Sequence, residues 1–308
     1  MENKGKKKLN IWAILSALFA IGAIVCIIIL IKTTVDIKKR AEDMSNLVKG
    51  SGESIVSSEV ISGSESEGSS GTPSDEGSVA TEESSRESES SEQLPVDTFA
   101  ASIQFLKEKG IEIPDLDVDI ANLQETVNPD IYAWIYVPGT KVNYPVLQHP
   151  SDDSYYLNYN LDGTKGYPGC IYTEKTYNSK DFTDGNTVLY GHNMKNGTMF
   201  GSIHRYEDSK FFEENPYIFV YTPERLLCYR IIAAYEHEAE HLLYNHNFDD
   251  SDVLLWYFSN VKLQKSINNN FLEDYELNGN ECIITLSTCI NNKPDKRYLV
   301  QGVLLNEE

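Results

Sequence analysis

One long apolar run near the start of the chain stands apart from all that follows it. Residues 11–31 are apolar except for Ser16 and Gly22. As a helix, this run would extend about 30 Å, which is the thickness of a bilayer core. Four lysines precede it, as is typical of a cytoplasmic N-terminus, although further basic residues follow it. We therefore predict a cytoplasmic tail over 1–10 and a single-pass membrane anchor over 11–31, with the rest of the chain extracellular. A cleaved signal peptide is the weaker alternative, because no small-x-small site separates the run from the next charges.

The next segment has the composition of a disordered chain. Ser, Glu and Gly dominate from about Met44 to Pro95, with few large apolar residues. Such a segment cannot bury enough apolar surface to offset the conformational entropy lost on folding. We predict that 32–96 is a disordered stalk, extended by charge repulsion, between the anchor and a folded domain over 97–308.

Beyond the stalk, short runs rich in Val, Ile and Tyr alternate with turn residues. This pattern predicts a mostly β fold, either an antiparallel barrel or a sandwich. Apolar residues at helical spacing predict three helices, one from Asp97 or Thr98 to Lys109, one over 119–127 and one over 250–266, inserted just ahead of the last two strands. The predicted strands cover 131–137, 142–147, 169–173, 187–190, 217–222, 226–236, 281–288 and 297–305.

The charge of the chain narrows the function only slightly. The net charge is −21, from 47 acidic and 26 basic residues. This balance argues against nucleic-acid binding, which requires a basic face. Much of the acidity lies between Glu42 and Asp97, where Lys49 and Arg86 are the only basic residues, so the charge says little about a substrate.

The sequence TLSTC at residues 285–289 places a cysteine at the end of an apolar strand. A seven-residue polar turn, 290–296, separates Cys289 from Arg297, which opens the next predicted strand. A hairpin of this kind brings the thiol and the guanidinium to the same end of a sheet, where the positive charge favours the nucleophilic thiolate. A lone cysteine is more often a small buried hydrophobe, but the polar neighbours of Cys289 indicate an edge position.

A histidine that could transfer the proton lies at the end of another predicted strand, in the sequence YGHN at 190–193. Imidazole groups titrate near neutral pH, so His192 could pass protons in both directions. Arg297 could donate hydrogen bonds to the oxyanion of a tetrahedral intermediate. An exposed surface role is the alternative for each of these two side chains.

The remaining cysteines have no catalytic context. Cys26 lies in the predicted anchor. Cys170, Cys228 and Cys282 have apolar or aromatic neighbours, as is typical of buried thiols, and an exported domain would allow one disulfide among them.

The sequence HEAEH at 237–241 matches the HExxH motif of zinc peptidases. That motif requires a helix to place both histidines on one face, whereas here it continues a predicted strand. Tyr244 and Asn247 stand where a longer zinc motif has glycine and a third histidine. We therefore favour a solvated acidic loop over a zinc site.

Taken together, several segments make the region from Asp97 to Leu305 resemble the class B sortases of Gram-positive bacteria, a family of cysteine transpeptidases. The most specific part is TLSTC with a following arginine and a preceding YGHN. The inserted helix and the helical N-terminal segment fit class B rather than class A, and the Asp-Pro-aromatic lid of many class C enzymes is absent. The matching segments are WIYVPGT (134–140), NYPVLQ (143–148), YYL (155–157), YGHNM (190–194), MFGS (199–202) and TLSTC (285–289).

The resemblance implies an eight-stranded sortase barrel with an extracellular active site. Cys289 would be the nucleophile, His192 the general acid and then base, and Arg297 the oxyanion stabiliser, with Ser287 and Thr288 lining the substrate groove. The enzyme would cleave the C-terminal sorting signal of a secreted protein after threonine, through a thioester, and join the product to a peptidoglycan-precursor amine. A pilin lysine is the alternative acceptor, and no metal or cofactor is expected.

Two rival functions would leave different signatures. The L,D-transpeptidases of the cell wall also place a histidine before the cysteine, but they require a Ser-His-Gly-Cys context where this chain has Thr288 and Cys289. A non-enzymatic anchored receptor would share the anchor and the stalk, but it would not need cysteine, histidine and arginine at converging strand ends.

Overall fold

A closed β-barrel is the centre of the computed structural model, which describes residues 11–48, 98–264 and 266–306. The predicted tail over 1–10 and the part of the predicted stalk over 49–96 lie outside the described residues. Among the residues described, no helix combines the length and the apolarity that crossing a membrane requires. The strands are β1 (Ile131–Tyr136), β2 (Asn143–Leu147), β3 (Ile171–Tyr172), β4 (Asn186–Tyr190), β5 (Tyr217–Tyr221), β6 (Leu226–Glu238), β7 (Asn270–Phe271), β8 (Ile283–Ile290) and β9 (Lys293–Leu304). The helices are α1 (Ile11–Ser45), α2 (Thr98–Glu108), α3 (Ile120–Thr126), α4 (Tyr155–Asn158), a 3₁₀ helix (Phe200–Glu207), α5 (Ser209–Glu214), α6 (Leu242–Asn245) and α7 (Ser251–Val261).

Eight of the nine strands in the described residues form the barrel. Their order is β5-β1-β2-β3-β4-β8-β9-β6, and pairing between β5 and β6 closes the ring. The ninth, β7, is a two-residue strand paired with β6. Most neighbours are antiparallel, whereas β2–β3 and β4–β8 are parallel. The predicted mostly β fold and eight-stranded barrel are confirmed, and the structure decides for a barrel over a sandwich.

Apolar side chains are buried on both faces of several strands. In β1 and β6 nearly every residue is buried, because the barrel interior lies on one face and helices and loops cover the other. A second apolar cluster holds α7 against the barrel, where Tyr257 and Leu254 pack with Tyr235 of β6. The hydroxyl oxygens of Tyr235 and Tyr257 lie 2.6 Å apart in this cluster. The inserted helix is therefore fixed to the strand that precedes it and to the strands that carry the predicted site.

Side-chain caps set the beginning of two predicted helices. Asp119 accepts a hydrogen bond from the backbone N–H of Asn122 at the start of α3. Asp250 accepts from the backbone N–H groups of Asp252 and Val253 at the start of α7. Aspartate is a favoured residue at this position because its carboxylate satisfies N–H groups that have no partner in the helix. The three helices predicted for the folded domain form within a few residues of their predicted bounds.

The predicted seven-residue turn between Cys289 and Arg297 is wrong. The chain reverses over residues 291–292 alone, and β9 begins directly after them. Asn292 has a φ of +62°, a left-handed conformation that asparagine tolerates better than most residues. The ladder then shifts register, so that residues 294–296 form a bulge before Cys289 pairs with Arg297.

The N-terminal helix continues into the range predicted as a disordered stalk. α1 extends to Ser45, and the stalk prediction is wrong for this stretch. Ala41, Met44 and Val48 are at most 5% exposed and belong to the main apolar cluster. The spacing of Ala41 and Met44 places them on one face of α1, which packs on the barrel, and Val48, beyond the end of α1, joins the same cluster. The Ser- and Glu-rich composition that begins at about the same point in the sequence obscures this short stripe.

Candidate active site

Cys289 lies near the end of β8 with its side chain exposed, although the preceding residues of the strand are buried. Directly across the antiparallel ladder its partner is Arg297 of β9. The two residues therefore lie side by side at one end of the sheet, whereas a contact between the thiol and the guanidinium stays a prediction. In this structure the Arg297 guanidinium donates hydrogen bonds to the carbonyl oxygens of Pro294 and Lys296, at 3.1 and 2.8 Å.

His192 reaches the same end of the barrel because its strand pairs with the cysteine strand. β4 and β8 are parallel, with Tyr190 opposite Ser287. The Gly191 N–H then donates to the Ser287 carbonyl at 3.2 Å, and the Thr288 hydroxyl donates to the Gly191 carbonyl at 2.7 Å. These two bonds fix the backbone on the N-terminal side of His192 against the backbone that carries Cys289.

Only glycine fits at position 191, between the end of β4 and the loop that carries His192. A Cβ atom there would lie 2.5 Å from Ile171 Cδ1 and 2.7 Å from the ring of Phe200. Carbon atoms do not approach so closely, so any side chain at this position would move the loop. The glycine before His192 therefore allows the loop to pack tightly and sets the position of the histidine.

His192 and Cys289 line one pocket of about 420 Å³. Tyr167 contributes to its wall and lies edge-on to the His192 ring, with ring centroids 4.9 Å apart. The His192 Nε2 atom is 2.8 Å from the carbonyl oxygen of Leu157. Because a carbonyl can only accept a hydrogen bond, Nε2 carries a proton, and Nδ1 is left as the atom that can gain and lose one.

A sortase-domain family model matches residues 135–305, which is more than half of the chain and contains all of this pocket's catalytic candidates. The chain belongs to the sortase family. Sortase B of Listeria monocytogenes is 31% identical over 191 residues, covering 61% of this chain and 75% of that protein. The structure of Clostridium perfringens sortase B matches with a TM-score of 0.53 at 29% identity, over 61% of this chain and 100% of that chain. A Streptococcus pyogenes class B sortase involved in pilus biogenesis matches with a TM-score of 0.52 at 26% identity, over 61% of this chain and 98% of that chain. This sortase is of class B, and its enzyme class is that of a cysteine transpeptidase, as the sequence predicts.

Ser287 and Thr288, predicted to line the substrate groove of the sortase, are both buried. Their exposed fractions are 7% and 2%. Thr288 uses its hydroxyl in the bond to Gly191, so in this structure it joins two strands rather than facing an open groove. Ser287 lies two residues before Cys289 and so on the same face of β8.

Sequence reasoning gave no role to three polar side chains beside the cysteine. The Asn193 side-chain amide donates to the Cys289 carbonyl at 2.8 Å, and His204 Nε2 lies 3.1 Å from the same oxygen. His204 Nδ1 is 2.6 Å from Glu207 Oε1, and its ring stacks on Tyr298. Asn193 was visible in the YGHN sequence, but the 3₁₀ helix that carries His204 and Glu207 gave no such signal.

The HEAEH sequence begins at the end of β6 and continues into a loop, so no helix places its two histidines on one face. His237 lies in β6 opposite Arg297, and His241 lies beyond the end of that strand. The His241 Nε2 atom is 2.8 Å from Glu174 Oε2, which also accepts from the Tyr190 hydroxyl at 3.2 Å. Burial raises the pKa of the Glu174 carboxyl, and the neighbouring His241 opposes that rise. His241 therefore links the segment between β6 and β7, which carries α7, to the loop after β3.

None of the five cysteines, each of them within the described residues, takes part in a disulfide. The disulfide allowed by the sequence among Cys170, Cys228 and Cys282 is therefore not formed. Burial raises the pKa of the Cys170 and Cys228 thiols, that of Cys228 to about 12. Thiols of this kind are inert, and since Cys282 is half-buried, Cys289 is the most exposed thiol of the described barrel.

Proposed function

We propose that this sortase cleaves the C-terminal sorting signal of secreted proteins after a threonine and joins each protein to an amine of a cell-wall precursor. The observation that carries the proposal is the exposed thiol of Cys289 in one pocket with His192, directly across the ladder from Arg297. A nucleophile, a proton carrier and a cation in this arrangement suit acyl transfer through a covalent intermediate.

The reaction consists of two acyl transfers. The Cys289 thiolate attacks the threonine carbonyl carbon, and the protonated His192 gives its proton to the departing amine as the peptide C–N bond breaks. The resulting thioester is then attacked by the incoming amine, which gives a proton to neutral His192. The new C–N bond forms, the C–S bond breaks, and the thiolate and imidazolium are restored. Arg297 stabilises both oxyanions once its guanidinium turns from the carbonyls of its own bulge, since catalytic hydrogen bonds often form only with substrate bound.

The proposed enzyme is held at the cell membrane by residues 11–31, with its catalytic domain outside the cell. The apolar character of this run and the lysines before it support this location. Sorting signals on secreted proteins and cell-wall precursors are both reached from the outer surface of the membrane, so anchoring there places the enzyme beside both substrates.

A pilin polymerase is the second candidate. The match to a class B sortase involved in pilus biogenesis favours it. In that case the attacking amine would be a lysine side chain of another subunit rather than the amine of a wall precursor, while the chemistry at Cys289 and His192 would be the same.

Intact-mass analysis of the full chain in detergent tests the proposal. The protein is incubated with peptides of the NPxTx and LPxTG types, first alone and then with triglycine or Nα-acetyl-lysine amide as acceptor. We expect a covalent adduct equal in mass to the peptide's N-terminal part, and a ligated peptide when the amine is present. Cys289→Ala should form neither, whereas Cys282→Ala, a matched change of a half-buried cysteine, should form both. The absence of adduct and cleavage with every peptide, from folded protein, would contradict the proposal and favour an anchored receptor.

A further inference from the structure

The stripe that docks α1 on the barrel continues toward the catalytic pocket. Thr34, Ile37, Ala41 and Met44 follow one another at intervals of three and four residues, so they lie on one face of α1, and Val48 follows just beyond the end of that helix. The last three are buried on the barrel. The first two line the pocket that contains His192 and Cys289.

Polar contacts beside the stripe fix the helix in this position. Arg40 donates to the Thr164 hydroxyl at 2.5 Å and lies 3.5 Å from the Asp162 carboxylate. The Asn143 side-chain amide donates to the Ser45 carbonyl at 3.4 Å. Hydrogen bonds from Thr164 and the Arg40 charge lower the pKa of Asp162, so the carboxylate is charged at neutral pH. The wall that α1 adds to the pocket is therefore held by both apolar packing and charge.

The pocket lies on the side of the thiol from which an amine must approach. An amine that attacks the thioester has to give its proton to His192, which lines the pocket. Among the described residues, Arg297 does not line this pocket. The sorting signal presents its carbonyl oxygen toward Arg297, whereas the departing amine and then the incoming amine meet His192 on the pocket side of Cys289.

We infer that the pocket between α1 and the His192 loop is the binding site of the acceptor amine, and that Thr34 and Ile37 form the wall that positions it. This inference rests on the proposed transpeptidation. Polar groups of Tyr167, Asn193 and Asn196 can accept or donate hydrogen bonds to a peptide acceptor, while Ile37 and Met194 give apolar surface. The chemical class that fits is a primary amine on a short peptide rather than a bare small nucleophile.

The position of this wall along the chain indicates where the acceptor is held. Thr34 and Ile37 lie three and six residues beyond the predicted anchor, which is about 5–9 Å along a helix. An acceptor in this pocket therefore lies at the membrane surface. A peptide carried by a membrane-bound cell-wall precursor meets this condition without leaving the bilayer.

Filling the pocket tests the inference with the full chain in detergent. Ile37→Trp places a large ring at the wall, and Val35→Trp, at an exposed position of the same helix outside the pocket, is the matched control. Three rates are measured for each protein: thioester formation with the sorting peptide alone, transfer to hydroxylamine, and transfer to whichever of triglycine and Nα-acetyl-lysine amide the parent accepts. Hydroxylamine is too small to need the pocket.

We expect Ile37→Trp to raise KM for the peptide-like amine by about fivefold or more, because it removes binding of the acceptor. Thioester formation and transfer to hydroxylamine should stay within about twofold of the parent, and Val35→Trp should match the parent in all three rates. Unchanged amine transfer in Ile37→Trp would overturn the inference, and so would an equal loss in all three rates. A parent protein that forms no thioester would instead contradict the proposed function, so the two failures are distinguishable.

Discussion

Two regions meet at Cys289, and they are held by very different means. The β4–β8 pair reaches the thiol from inside the barrel, through a continuous ladder over Asn186–Tyr190 and the tight packing of Gly191. α1 reaches the same pocket from outside, through a stripe of three buried side chains and one surface ion pair. The first contact cannot be changed without disturbing the barrel, whereas the second can be weakened alone.

This difference suggests a division of roles. In the proposed mechanism the barrel positions the groups that make and break bonds, and those groups must be held to within about 1 Å to work. The helix shapes one side of the pocket, and under the inference above a weaker and adjustable contact is enough to position the acceptor there. Substitutions in the two regions should therefore change different kinetic constants.

Gly191→Ala should cause the largest loss. The added carbon would meet Ile171 and Phe200 at less than 3 Å, and a shift of His192 by about 1 Å costs on the order of 100-fold in kcat/KM for thioester formation. Gly185→Ala, just before the other end of β4, clashes with the Phe248 backbone and is the control, because it disturbs the barrel at least as much while lying far along the strand from His192. Stopped-flow acylation per folded molecule, with folding checked by circular dichroism, should show the loss in the first variant alone. Equal losses in both variants would show that a clash at either end of β4 slows acylation, so that the packing of Gly191 would have no special role.

Thr288→Val should have an intermediate effect. It removes the hydrogen bond to the Gly191 carbonyl while keeping the shape of the side chain, so we expect about 1 kcal/mol less stability and roughly tenfold slower acylation. Thr285→Val, three residues earlier in β8, breaks buried bonds to Asn186 and Gln301 instead. Denaturant unfolding should show at least as much destabilisation in Thr285→Val, which breaks two buried bonds, while acylation should be slower in Thr288→Val. Equal acylation rates would mean that the Thr288 bond stabilises the barrel without positioning His192.

The catalytic corner was predictable because its signals are local. A strand pattern ending in TLSTC and another ending in YGHN place Cys289 and His192 at strand ends, and barrel closure brings those ends together. The turn before Arg297 was not predictable in the same way. A run of polar residues does not distinguish a loop from a tight hairpin followed by a bulge, since the choice depends on backbone pairing and on the positive φ of Asn292.

The docking of α1 on the barrel could not be predicted from sequence composition. Three apolar residues at helical spacing are too few to stand out where a Ser- and Glu-rich segment begins, and their burial depends on a barrel surface formed about 100 residues later in the chain. The same limit applies to His204, whose place beside Cys289 follows from the path of the 3₁₀ helix across the barrel end.

Met44→Ala should detach α1 more readily while leaving the barrel intact. Removing a buried methionine side chain costs about 2 kcal/mol at the low end of its usual range, and here the cost falls on helix docking. Hydrogen exchange of the full chain should therefore show faster exchange in α1 with unchanged protection of β8, and thioester formation should be unaffected. Val35→Ala, an exposed position, should leave exchange as in the parent. Loss of protection throughout the barrel would show that the two regions unfold as one unit.

Arg40→Gln should give the smallest effect of these substitutions, and it tests how much charge contributes to the docking of α1. The guanidinium and the Asp162 carboxylate are both partly exposed, so the pair contributes about 1 kcal/mol or less, and salt screens it. We expect hydrogen exchange in α1 to quicken slightly at low ionic strength and to match the parent at 1 M salt, where the Debye length is about 3 Å.

The same pair should also depend on pH. Because Asp162 has a lowered pKa in the folded protein, the stability that its carboxylate adds to the docked helix is present at neutral pH and is lost as pH falls through that lowered pKa. Parent and variant should therefore converge in acid as well as in salt. If they differ equally at every salt concentration, the Arg40 contact acts through its hydrogen bond to Thr164, and packing rather than charge holds the helix over the pocket.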